Sequence, residues 1–186
     1  SMLLIMVGFG YKISIVPFHY WAPDVYQGAP LSVTAFLSVA PKVAGITLIV
    51  RFFYTTLTSP GDPLALHPIG WDWTLLFAVL SAITMTVGNL IAIQQSNVRR
   101  LLAYSSISHM GFVLIGMSVV DGIAVLHMHF YLILYMFMTL GAFFVVQFVE
   151  RYLKSNDIEE WAGIGYKYPL LSAMMSINLI ALSGLP

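Results

Sequence analysis

Two lysines sit in runs that should exclude them: Lys12 in "GYKISIVPFHYWAPDVYQGAP" and Lys42 in "LSVTAFLSVAPKVAGITLIVRFF". At the centre of a membrane helix, a lysine costs about 2.5–3.5 kcal/mol on insertion scales. Ionisable groups kept at that depth mark ion or proton paths more often than not. The chemistry on offer is proton uptake and release, since burial disfavours the charged form of an amine and brings its exchange within reach of neutral pH. The plainer alternative makes each lysine half of a buried ion pair that serves assembly, and two of them at similar depth weigh against it. His109, in "LLAYSSISHMGFVLIGM", is a third group at comparable depth. Ser105, Ser108, His109 and Phe112 are three and four residues apart, so the two serines and the histidine should share one helix face. Histidine titrates near neutrality, and hydroxyls beside it can relay a proton. Packing glue across helices explains such a histidine nearly as well. His19 and Asp24 are auxiliary candidates at the end of the first segment. His127 and His129 are weaker, being two apart and on different faces. Met136, Met138 and the phenylalanines near them suit lipid contact or packing better than a cofactor box.

Two prolines stand beside the lysines. Pro17 follows Lys12 by five residues and Pro41 directly precedes Lys42. Proline removes one helical hydrogen bond and obstructs another carbonyl. Broken backbone at membrane depth survives where it is buried in protein or lines a watery cavity. Helix breaks at Pro17 and Pro41 are therefore expected to flank an ion path. The bland reading is an ordinary packing kink.

The elements that must hold these groups are helices in lipid. The 186 residues are 59% hydrophobic and 9% charged, against about 25% charged in soluble domains; mean hydropathy is +0.87. Six apolar segments fall at about 2–27, 31–53, 73–94, 101–120, 122–149 and 169–186, most of them near the roughly 20 residues that span a bilayer. No stretch has the alternation of a membrane barrel. The expected fold is all-α: a polytopic transmembrane helix bundle with broken helices, one domain over 1–186, internal to a larger membrane protein. Zero formal net charge argues against nucleic acid as a partner. The absence of cysteine excludes disulfides, cysteine-ligated zinc and cysteine-held iron–sulfur clusters; no metal site is expected. If successive segments alternate direction, Arg99, Arg100, Arg151, Lys154 and Lys167 share one side, against Arg51 with Asp62, Asp72 and Asp121 on the other. The positive-inside rule makes the first side cytoplasmic, in a bacterial inner membrane. Trp21, Trp71, Trp73 and Trp161 fall at segment ends or in loops, as an interfacial belt would. The "TTLTSPGDPLALHPIGWD" stretch reads as an exposed loop. A short surface helix capped by Asn156 and closed by Gly163 and Gly165 is expected before the last segment.

Four stretches, "GYKISIVPFHYWAPDVYQGAPLSVTAFLSVAPK", "NVRRLLAYSSISHMGF", "FYLILYMFMTLGAFFVV" and "DIEEWAGIGYKYPLL", resemble the antiporter-like membrane subunits of proton-pumping NADH–quinone oxidoreductase, respiratory complex I. The last two favour the N-type over the L- and M-type. The resemblance implies two inverted five-helix repeats within about fourteen helices, the six segments here being the seventh to twelfth, with the first and last of them broken. It implies that Lys12 is the channel lysine of the first repeat, modulated by a glutamate upstream. Lys42 would connect the half-channels and His109 would lie on the central polar axis. The second repeat's ionisable residue would follow "SGLP". A small or polar residue is the family expectation where Pro41 stands. The implied partners are other membrane and peripheral subunits and the lipid bilayer. The implied cofactors, NADH, FMN, iron–sulfur clusters and quinone, belong to the rest of the complex and none to this chain. Mrp-type cation/proton antiporters and membrane-bound hydrogenases use related modules. A haem-binding anchor fits poorly, with His109 about 12 Å from one end of its helix and His127 about 8 Å from the opposite membrane face. A pure scaffold leaves both lysines unexplained.

Overall fold

The computed structural model describes residues 2–59, 62–66, 73–119 and 122–184. Its helices are α1 (Met2–Ile13), α2 (Trp21–Gly28), α3 (Leu31–Leu57), α4 (Trp73–Ile93), α5 (Val98–Ser118), α6 (Gly122–Leu153), the single turn α7 (Ile164–Lys167) and α8 (Pro169–Leu182). Helices α3 to α6 are long and apolar enough to cross a membrane. By contrast α8, with 14 residues, rises about 21 Å, short of a roughly 30 Å hydrocarbon core.

The first segment is two helices. After α1 the chain leaves the helix at Ser14 (φ 60°) and passes a cis Val16–Pro17 bond before α2 begins. Pro17 cannot donate to a helix, and the neighbouring backbone finds partners elsewhere. Val16 N–H donates to Thr84 Oγ1 of α4 at 3.2 Å, Ile15 N–H to Gly10 O at 3.0 Å, and Trp21 Nε1 to Tyr11 O at 3.0 Å. Trp21 thus staples the break. Trp73 is no belt residue, since it is buried against Phe53 with ring centroids 5.6 Å apart. Trp71, Asp72, Val120 and Asp121 lie outside the described residues. Part of the expected loop is a hairpin, with β1 (Thr58–Ser59) antiparallel to β2 (Asp62–Leu66).

Pro41 does not break its helix, because α3 runs through it. Its missing N–H weakens the ladder locally, and the carbonyl of Ser38 accepts from Tyr135 Oη of α6 at 3.3 Å. The carbonyl left without its helical donor by Pro41 is that of Leu37, one residue before Ser38.

Helix α5 is the hub, with buried residues on most of its circumference. Its tightest partner is α4, and small residues set that distance. A Cβ on Gly111 would lie 2.7 Å from Met85 Cγ and 2.9 Å from Met85 N, and one on Gly88 2.9 Å from Ser108 N. Ser81 Oγ donates to Gly111 O at 2.7 Å across the same seam. Gly111→Ala is expected to cost about 1–3 kcal/mol, because the obstacle is backbone and cannot rotate away. A lowered midpoint of thermal aggregation in detergent checks this. Gly28→Ala, with nothing within 4 Å of the new methyl, is the control and should be near neutral.

At one end of the bundle three connections meet. Val98 N–H donates to Asn156 O at 2.9 Å and Ile158 N–H to Ser96 O at 2.8 Å. Asn97 caps α5, its side chain accepting from Arg99 N at 2.9 Å and Arg100 N at 3.2 Å. Arg99 and Arg100 are therefore in the first helical turn and not in a loop. A cation there opposes the helix dipole, and carboxylates answer both. Arg99 forks onto Glu150 of α6 at 2.6 and 2.5 Å and also donates to Gln27 O and Ala29 O at 3.2 and 2.9 Å. Arg100 pairs with Asp24 of α2 at 2.6 Å.

The connection after α6 is tighter than expected. One 3₁₀ turn (Ile158–Trp161) precedes α7, and Asp157 rather than Asn156 takes the N-cap position. Asn156 Oδ1 is buried without a partner among the described residues, while the Asn156 backbone carbonyl accepts from Val98 N–H. Gly163, at φ 84°, makes the left-handed turn between the two pieces.

Candidate functional site

Lys42 is 1% exposed, at the middle of α3. Its Nζ donates to Ser106 Oγ of α5 at 2.6 Å, and Ser106 Oγ donates onward to Ala103 O at 2.6 Å. The ring of Tyr26, from α2, lies under the ammonium with Nζ 5.8 Å from its centroid. This distance suits a cation–π contact, which is stronger in a dry interior. No carboxylate among the described residues pairs with Lys42. A charge held by one hydroxyl and one ring face lacks the close counter-charge that would fix its proton.

Around this centre the hydroxyls gather. Tyr135 is buried and donates to Ser38 O, one turn before Lys42. Thr139 follows Tyr135 by one turn of α6. Tyr26 Oη and Thr139 Oγ1 are buried with no well-formed hydrogen bond among the described residues. Such groups are ordinarily met by ordered water.

His109 adjoins this centre. Its Nδ1 lies 2.6 Å from Tyr131 Oη, and its ring centroid is 5.2 Å from that of Tyr135. A cavity of about 410 Å³ opens here between α6 and the end of α8, lined by His109, Tyr131, Tyr135, Met138 and Leu182 among others. Lys42, Ser106, Tyr135 and His109 thus form a buried polar band drawn from α3, α5 and α6, with Tyr26 of α2 at one edge.

The structure distributes the other candidates differently. Ser105 is half-buried and Phe112 exposed, so the expected stripe is displaced to the rim of the polar band. Ser108 is buried against α4, with its Oγ 3.5 Å from Met85 O. Ser106 is the serine that reaches Lys42. It stands three residues from His109 and Ser105 four, both on the histidine's side of the helix, and spacing along α5 could not choose between them. The choice is made by where α3 crosses. Asp24 is spent on Arg100 and is largely exposed, outside the polar band. His19 is buried in the break of the first segment, near Tyr104, with Nδ1 unpartnered among the described residues. Lys12 is exposed on the chain's surface at the last turn of α1. Its stem passes over α3 three residues beyond Lys42, where a Cβ on Gly45 would lie 3.6 Å from Lys12 Cγ and 2.5 Å from Ile13 Cγ2. His129 Nδ1 meets Val125 O of its own helix at 2.8 Å. No group of three His, Asp or Glu among the described residues could hold a metal ion.

Tyr26, Ser106, Tyr131 and Tyr135 are the site residues that sequence reasoning missed. Only one signal was available: Tyr131 and Tyr135 are four apart and so share a helix face.

Comparison with known proteins accounts for this architecture. The whole chain, residues 1–186, matches the family described as NADH:quinone oxidoreductase/Mrp antiporter, TM. NADH-quinone oxidoreductase subunit N 2 of Chloroherpeton thalassium is 46% identical over 184 residues, which is 99% of this chain and 36% of the relative. The chain therefore spans little more than a third of the length of the curated relatives it matches. Among solved structures, a chain of respiratory complex I from Thermus thermophilus with bound aureothin aligns with TM-score 0.76 at 32% identity, over 98% of this chain and 38% of that one. A chain of the archaeal membrane-bound sulfane sulfur reductase aligns with TM-score 0.85 at 28% identity, over 96% and 35%. The broken first segment and the bundle around α5 are thus the fold of antiporter-like membrane subunits, and the chain belongs to the NADH:quinone oxidoreductase/Mrp antiporter transmembrane family.

Proposed function

We propose that this chain is the central transmembrane part of an N-type subunit of a proton-pumping NADH–quinone oxidoreductase, and that Lys42 and His109 carry protons through it. The observation that carries the reading is the Lys42–Ser106 contact at 2.6 Å inside a band of buried hydroxyls, with no carboxylate partner among the described residues. Such a lysine can give up its proton to a neighbouring hydroxyl or water and regain it, because no ion pair holds the charge in place.

A proton enters from the cytoplasmic side of a bacterial inner membrane, where Arg99, Arg100 and the connections around them lie. It passes Lys12 and then Lys42, and continues along Ser106 and Tyr135 to His109. Lys12, exposed on this chain, takes its modulating glutamate from an earlier helix of the same subunit. Thr84 and Trp21 hold open the broken backbone that lets the path approach α3. Moving one charge against 100 mV requires about 2.3 kcal/mol. That energy comes from NADH oxidation through flavin and iron–sulfur centres to quinone in other subunits.

The test is to purify the full-length parent protein in mild detergent, identify its partners by mass spectrometry, and reconstitute the assembly. Flavin and iron–sulfur subunits, with NADH-driven acidification of the vesicle lumen, are expected. Partners confined to small membrane proteins, with sodium-for-proton exchange in vesicles, would replace this reading by that of an Mrp-type antiporter.

A further inference from the structure

A second cavity lies beyond His109. It occupies about 480 Å³ between the end of α5 and the start of α6, and its lining includes Phe112, Gly116, His127, Met128 and Tyr131. Tyr131 lines this cavity and the 410 Å³ cavity at His109 alike. Its hydroxyl is the group bonded to His109 Nδ1 at 2.6 Å. His127 stands four residues before Tyr131 on α6, so the two share a face. Helix α6 has its C-terminal end tied to the Arg99 cluster. Passing from Tyr131 to His127 therefore moves about 6 Å along the axis, away from the basic end. His127 is exposed, five residues after the helix begins.

We propose that Tyr131 and His127 form an exit for protons from His109 to the membrane face opposite the basic connections, with Tyr131 as the gate between the two cavities. This rests on the proton-carrying reading of the site given above. In the transfer, a protonated His109 gives its Nδ1 proton to the Tyr131 oxygen while Tyr131 releases its own hydroxyl proton to water in the second cavity. That water passes a proton to the imidazole of His127. His109 ends neutral, Tyr131 ends as the phenol it began as, and His127 ends protonated. Rotation of the Tyr131 hydroxyl resets the gate, so no tyrosinate forms. Apart from His127 and Tyr131 the second cavity is walled by apolar groups, among them Phe112, Met128 and Ile123. A passage of this kind conducts when wet and blocks when dry, which limits back-leak. Gly116 is needed for the wall to close, since a Cβ there would collide with Met128 Cγ and Sδ.

The experiment uses the complete assembled complex in vesicles with Tyr131→Phe, His127→Gln and Lys42→Ala measured side by side. Tyr131→Phe keeps the ring and removes the hydroxyl. It and His127→Gln are expected to lower the protons pumped per quinone reduced as far as Lys42→Ala does, while uncoupled quinone reduction stays within about twofold of wild type. Loss in Lys42→Ala with full pumping in the other two would overturn the exit and leave the function standing. Full pumping in all three would overturn both. As a readout that a packing role would not move, His127→Cys is treated with a membrane-impermeant thiol reagent; these 186 residues contain no cysteine to compete. Labelling from the face opposite the basic connections is expected, in a variant that already pumps as poorly as His127→Gln. Labelling from the basic side, or from neither side, counts against the exit.

Discussion

Lys42→Met in the full complex is expected to abolish the proton transport carried by this subunit while assembly persists, and to leave thermal stability equal or higher. Methionine matches the length and flexibility of the lysine stem and carries no charge. The side chain is already buried, with its ammonium over the Tyr26 ring. What the substitution removes is an ammonium held by one hydroxyl and one ring face. Exchanging a buried charge for an apolar chain of similar volume is neutral or stabilising, by about 1–4 kcal/mol where buried ion pairs have been replaced. Ser106 Oγ keeps its bond to Ala103 O, so no donor is orphaned. A fall in stability of several kcal/mol with pumping intact would assign Lys42 to assembly instead. The two measurements are acidification of the vesicle lumen and the midpoint of thermal aggregation, taken on the same preparation. A site that is less stable than it could be is one kept for its activity.

Glu150→Gln should do the reverse, lowering stability by about 3 kcal/mol with the polar band untouched. Both partners of the Arg99–Glu150 fork are mostly shielded, at 14% and 13% exposure. Removing the carboxylate leaves a guanidinium uncompensated in the first turn of α5, where the helix dipole also opposes it. The same guanidinium holds the carbonyls of Gln27 and Ala29, so the turn between α2 and α3 loosens with it. Arg99→Gln together with Glu150→Gln should recover part of the loss, because no unpaired charge remains. A single Glu150→Gln with an unchanged aggregation midpoint, or a double variant worse than the single, would refute this account.

The fold was legible wherever hydrophobic length alone decides. Helices α3 to α6 follow from apolar runs that only a membrane accommodates, and the break near Pro17 follows from a proline that cannot donate. Pro41 shows the limit. The same residue type, read the same way, leaves α3 unbroken, and the Tyr135 hydroxyl that reaches Ser38 beside it comes from another helix, a contact that no local pattern announces. The start of α5 was misplaced for a related reason. Arg99 and Arg100 read as loop, yet Asn97 caps them and Glu150 and Asp24, from two other helices, pay for their charges. At the site, Lys42 and His109 were visible as ionisable groups in apolar runs. Ser106 and the tyrosines were not, since serine and tyrosine are unremarkable in membrane helices until the crossing of α3, α5 and α6 decides which hydroxyls meet the lysine.

The hydrogen bond from Val16 N–H to Thr84 Oγ1 spans 68 positions of sequence, and that separation has a temporal meaning. A ribosome finishes the first segment well before α4 exists. Until Thr84 arrives, the Val16 amide must be met by water or by a helical carbonyl, since lipid offers no acceptor. The kinked shape of the first segment is therefore a late event of biogenesis, completed only when α4 docks against it.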